Sequence, residues 1–544
     1  MTIIIPKNLR SLEFTELTMV ELNDIDIDRL TPHLWELIVK QGRLSAPPKD
    51  ADDYDRYLDV LASSPRLQGF DDEQGRKVLD GWLRSSVVRI SAKGRGHVGT
   101  QMDYIQPLTI ASYRAGLPKT RRHRHAHTLI YDLLIQELKK RGAEQPEKTL
   151  GAELKKAVGD GVIIGPPSHW LPEYDGQTPV DINALLSLYF LEAFNPGGAL
   201  NTPHGFKTSA VPAATSGLAS DLLDYMVAYG GKLTPSAFID RFAALISLRL
   251  FQLPLRLARS MRHVIRTGEQ SADMLDVMAR NPLELYCDFT AVRGAASDEL
   301  ARQVVQRDLE VMRGFMADRL LLRSLYQAMP NLRKKGEEIT SLPMADSLVA
   351  MLRERENPMV STYAVYTMQA IENETRDSAS GTDDDLDFIS AVMESELPPI
   401  DQLTTLLIEG LATQGLQNQA RWFSSTGGIK KTYGIITGAP NSRRSWRYAP
   451  SDDLLQAILL VCFTAANGTR HLPRMPIARL LEILRDRFGI LVDQPPASLN
   501  SADNRAAAAV NLEAFKLRLR LLGCFDGLSD DFSAQYVRNP LEIA

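Results

Sequence analysis

The sequence predicts a mainly α-helical, multi-domain protein with a mixed α/β amino-terminal part and a winged-helix-like carboxy-terminal unit. Three observations carry this expectation. Long segments in the second half place apolar residues at helical spacing between recognisable start and stop signals. The β-branched and aromatic runs that read as strands lie near 87–113 and 524–537. At 544 residues the chain is too long for one core, and the usual domain size gives roughly three or four units.

Residues 1–145 read as a mixed, basic α+β unit. Asp24 to Ile38 and Asp52 to Ala62 have helical spacing. Val87 to Ile90 and Tyr104 to Tyr113 suit two strands, joined by a Gly-rich basic tip, Ser91 to Thr100. A helix is expected from near Thr120 to Arg141, where Gly142 stops it.

Residues 146–371 read as helical with a loop-rich entry. Gly and Pro crowd 160–215, around a helix expected at Val180 to Phe194. Thr234-Pro235 is a hydroxyl N-cap with Pro in the first turn of a long helical region. Within that region, Pro254 should kink one helix or end the one before it. Ser297-Asp298 opens another helix toward Met329. Residues 372–387 read as a polar linker, and 388–450 as a helix plus a basic-aromatic segment.

In 451–544, Asp452-Asp453 lead a helix and Pro476 opens a second that Gly489 terminates. A third places Leu512, Phe515, Leu519 and Leu522 on one face. Three helices and a terminal ribbon give the winged-helix-like expectation.

Charge is the strongest functional signal. The chain carries a net −5, yet Gly410 to Ser451 holds no acid in 42 residues, where the average predicts about five. That window interleaves Arg421, Lys430, Lys431, Arg443, Arg444 and Arg447 with Trp422, Phe423, Tyr433, Trp446 and Tyr448. Gly81 to Tyr131 holds one acid, Asp103, against nine basic residues that include Lys93, Arg95, Lys119, Arg121, Arg122 and Arg124. Cations suit phosphates and flat rings suit bases, so these residues are the expected nucleic-acid contacts, with Gly427, Gly428, Gly434 and Gly438 letting backbone amides approach phosphate. The bland alternative is a loop anchored to its neighbours by its aromatics. A further basic stripe, Arg256, Arg259, His263 and Arg266, falls on one helical face.

Other motifs say less. His123, His125 and His127 invite a metal-dependent nuclease or phosphodiesterase reading, but no HExxH accompanies them, and a solvated basic face is the simpler account. Gly94 to Gly99 matches GxGxxG without a following helix, and Thr426 to Lys431 lacks the phosphate-loop spacing. Asp383, Asp384, Asp385 and Asp387 read as helix-start acids. No catalytic residue set and no cofactor motif stands out. Three isolated cysteines argue against a disulfide framework or thiolate zinc site. No leader-like start and no apolar run of membrane length is present, so a cytoplasmic protein is expected.

The words RLLEILRDRFGILVDQPP (Arg479–Pro496) and NLEAFKLRLRLLGCFDGLSDDFSAQYVRNP (Asn511–Pro540) resemble the tail of accessory proteins from bacterial anti-phage defence islands of the methylation-associated type. The resemblance covers about the last fifth of the chain. It implies defence against foreign DNA within a multi-protein system, and it transfers no active-site residue. The resulting expectation is a non-catalytic component that binds duplex DNA with low sequence specificity beside other defence proteins. An assembly scaffold, whose basic windows meet acidic protein surfaces, is the third class in view.

Overall fold

The computed structural model describes residues 3–45, 53–65, 68–86, 88–92, 98–105, 123–159, 201–203, 211–270, 274, 281–328, 344–465, 472–526 and 535–541. Lys93, Arg95, Lys119, Arg121 and Arg122 lie outside the described residues, as does the helix expected at 180–194.

The described residues are mainly helical. Helix α1 (Ile27–Val39) is followed by α2 (Tyr54–Ala62), started by the Asp53 side chain, and α3 (Glu73–Ser86). Strands β1 (Val88–Ala92) and β2 (Thr100–Ile105) pair antiparallel, so a hairpin forms, but both strands run into the expected tip, the second begins at Thr100 and not Tyr104, and 106–113 lie outside the described residues. With α2 and α3 they enclose a small core of their own, built on Tyr54, Tyr57, Leu61, Leu83 and Met102. Helices α4 (Ala126–Lys140), α5 (Pro146–Val158) and α6 (Pro212–Tyr229) come next.

Helix α7 (Pro235–Thr267) is the axle of the molecule. Thr234 caps it as expected, its hydroxyl oxygen accepting from the Ala237 amide, and Gly268 ends it in the left-handed region. Most of its residues from Phe238 to Val264 are buried, among them the polar Ser247, Arg249, Gln252, Arg256 and Ser260. Pro254 does not end it. The missing amide costs about 3 kcal/mol in an isolated helix, but here α6 and α8 (Ala296–Ala328) pack along it and hold its course.

Helices α9 (Pro358–Asp377), α10 (Asp383–Met393) and α11 (Pro399–Thr426) follow. The segment read as a polar linker, 372–387, is therefore the end of one helix, a turn, and the start of the next. Thr382 and Asp385 form a reciprocal capping box, and Thr375 and Asp385 are buried. A polar sequence with cap residues at this spacing makes a helix–turn–helix junction without needing apolar residues.

Strands β4 (Ile436–Thr437) and β5 (Arg447–Tyr448) close a tight loop. The remaining order is α12 (Asp452–Cys462), β6 (Arg474–Pro476), α13 (Ile477–Phe488), α14 (Ala502–Leu521), β8 (Phe525–Asp526) and β9 (Tyr536–Arg538). The last strand lies between the other two, antiparallel to both. A short β7 (Ile490–Leu491) pairs in parallel with β3 (Leu285–Tyr286), and the Asn511 amide bridges the carbonyls of Cys287 and Val492 and accepts from the Phe289 amide. One continuous apolar core runs from Ile3 to Val537 and takes in residues from α1 through β9.

Candidate nucleic-acid interface

The basic-aromatic segment folds differently from its expected role. Trp422, Trp446 and Tyr448 are no more than 1% exposed, and Tyr433 is also buried. These rings fill the core and offer no face to a base. Phe423 and Tyr448 meet Phe251 of α7 edge-on, and the Trp446 indole donates to the Ala439 carbonyl at 2.9 Å. The glycines serve close backbone packing. A Cβ at Gly434 would sit 2.3 Å from the Gly428 carbonyl oxygen, so neither is open to phosphate.

Three of the expected cations are already neutralised. Lys431 pairs with Asp28 at 2.7 Å, and the Tyr433 hydroxyl donates to the same carboxylate. Arg447 reaches the fully buried Asp298 at 2.8 Å. Arg124 forks onto Glu21 and Asp24 at 2.6–3.0 Å. The windows look unbalanced in sequence because their counter-charges come from distant segments. Tyr448 belongs to the same pattern, donating to Asp308 at 2.8 Å, where burial raises the carboxyl pKa against the opposing Arg307 charge.

Arg421, Lys430, Arg443 and Arg444 remain exposed and meet no carboxylate among the described residues. Arg443 and Arg444 sit in a short 3-10 turn held to α8, where the Gln306 amide donates to the Arg443 carbonyl at 3.0 Å. One helical turn further along α8 a groove of about 840 Å³ opens between α7 and α8. Arg259, Arg262, His263 and Arg266 line it from α7, and Arg307, paired with Asp308 at 2.9 Å and Glu284 at 3.7 Å, from α8. Glu310 and Asp318 are the acids among its lining residues. Asp318 pairs with Arg262 at 2.9 Å, and burial lifts its carboxyl to about 6. The sequence stripe is thus split. Arg259, His263 and Arg266 reach this groove, whereas Arg256 is buried and faces a different cavity. Arg262, Arg307 and the adjacency to Arg443 were not foreseen, because α8 is distant in sequence from both neighbours.

The histidines gather, with His123 and His127 turned inward and His125 exposed. Helix α4 begins only at Ala126, so His123 and His125 lie in the turn before it. The His123 ring lies 4.0 Å from His127 and 4.9 Å from His33 of α1, centroid to centroid, and all three are buried. Burial, followed by the charges of His33, His125 and Arg124, depresses the His123 pKa to about 2. No group of three or more His, Cys, Asp or Glu among the described residues could hold a metal ion. No described helix is long and apolar enough to cross a membrane.

Residues 7–541 match the family described as methylation-associated defense system protein MAD7. The chain belongs to that family. The defence resemblance read from the last fifth of the sequence therefore extends over almost all of it. No curated protein and no solved structure matches the chain.

Proposed function

We propose that this member of the methylation-associated defense family is a non-catalytic, DNA-associated component that works beside other proteins of its system. The observation that carries the reading is the basic groove between α7 and α8, with His263 and Arg266 exposed along it, Arg262 exposed but held by Asp318, and Arg443 and Arg444 one helical turn away. A row of arginines in a groove favours the repeating phosphates of a duplex, without reading its bases. The order of the last elements, helix, strand, helix, the short β7 paired to β3, helix and two strands, with the final strand central in a three-stranded sheet, supports a winged-helix assignment for 451–544. The domain divisions expected at 145 and 450 belong to the same proposal.

The test is duplex binding across a salt series. Replacing Arg266, Arg443 and Arg444 by Ala removes three phosphate contacts and should flatten the slope of log K against log salt by about 2.7. An unchanged slope overturns the assignment of this groove to DNA.

A further inference from the structure

A second cavity, of about 660 Å³, lies where α4, α6, α7, α12 and α13 converge. Lys140, Arg141, Arg249, Arg256, Arg479 and Arg487 face it, against Glu137, Asp221, Glu482 and Asp486. The deep guanidiniums are held in fixed positions. Asp221 is fully buried and accepts from Arg249 Nε and Arg487 Nε, each at 2.6 Å. Asp224 bridges Arg141 and Arg487 at 2.9 and 3.0 Å. Arg249 also donates to Gln252 at 2.8 Å and lies over the Phe488 ring. Its guanidinium rests on the α6 backbone at Gly217, where an added Cβ would come within 3.2 Å of Arg249 Cζ.

Buried ion networks ordinarily close on themselves, because each desolvated charge needs its counterpart. This one borders an open volume: among the described residues six cations face it, against four lining acids and Asp224 behind them, an excess of one positive charge. Arg141, Arg249, Arg479 and Arg487 are each oriented by a carboxylate, which leaves donor positions of their planar forks for the oxygens of a phosphate. No aromatic ring is among the described lining residues, so recognition would fall on phosphate.

We propose that this cavity binds a phosphate-bearing anion, with Arg256 and Arg487 at its floor and Lys140 and Arg479 at its mouth. A pyrophosphoryl group from a free nucleotide and the 5′-phosphate of a nucleic-acid strand offer the same chemistry. The site is separate from the α7–α8 groove and stands or falls without it.

Calorimetric titration of the full chain at matched ionic strength tests this, using pyrophosphate, ATP, and 5′-phosphorylated and 5′-hydroxyl oligonucleotides. Saturable one-site binding of pyrophosphate is expected. Arg256→Gln should weaken it about tenfold, roughly the worth of one charge-assisted hydrogen bond. Lys140→Ala and Arg479→Ala change exposed side chains, leave the core intact, and should each weaken it severalfold. The Arg266, Arg443, Arg444 triple variant should bind pyrophosphate like the parent. Binding of ATP assigns the free nucleotide. Preference for the 5′-phosphorylated strand over its 5′-hydroxyl twin assigns a strand end. The proposal is overturned if none of these probes saturates, or if binding ignores all three cavity variants.

Discussion

Acidification should loosen the amino-terminal end of α4, and His123 sets the size of the effect. Its imidazole is 7% exposed and accepts at Nδ1 from the His125 amide at 3.2 Å, so it is held neutral. Its folded pKa lies near 2, against an ordinary value of 6.5. The folded state therefore binds fewer protons than the unfolded chain. The stabilisation is fully present above about pH 6.5 and is lost as pH falls below it. Between pH 7.5 and pH 5 the loss amounts to about 2 kcal/mol, roughly 30-fold in an opening equilibrium. The groups facing the ring are His33 from α1, with His125, His127 and Arg124 from the turn and start of α4. None supplies a negative charge that would favour protonation. Asp318 works in the opposite sense, since its raised carboxyl pKa favours the folded state as pH falls from about 6. The readout is accordingly a difference. Hydrogen exchange across 123–135, measured at both pH values for the parent and for His123→Phe, cancels the other groups. The parent should lose about 30-fold more protection than the variant. Parallel losses in the two proteins would refute the assignment of a buried neutral His123.

Arg447→Ala strips one of the two arginines from the buried Asp298, leaving Arg302, and should lower stability by about 3 kcal/mol in urea unfolding. Trp446→Phe removes a core indole and its bond to Ala439, so the melting temperature should fall while the salt slope of duplex binding stays unchanged. Asn511→Ala leaves the Phe289 amide and the Cys287 and Val492 carbonyls without their shared partner. A loss of about 3 kcal/mol is expected, with faster amide exchange on both β3 and β7.

Helix boundaries were the most legible part of the sequence, because caps are local. Thr234-Pro235, Pro476 and Gly489 all mark helix ends in the structure. The Asp383–Asp385 acids also sit at a helix start, although the stretch around them is no linker. The role of 421–448 was not legible. Alternating cations and rings look alike whether the rings face water or the core, and the difference lies in Asp28, Asp298 and Asp308, far along the chain. The same limit hid His33 from the histidine cluster, and it hid Arg307 and Arg443 from the groove. Each site joins helices whose meeting depends on tertiary packing that no local pattern encodes.

The parallel pairing of β3 with β7, and the single asparagine that stitches both to α14, fasten the last ninety residues to the middle of the chain. Both ties hold α14 against β3, alongside its packing on α8, so loosening either one would free the carboxy-terminal helices from the body of the fold.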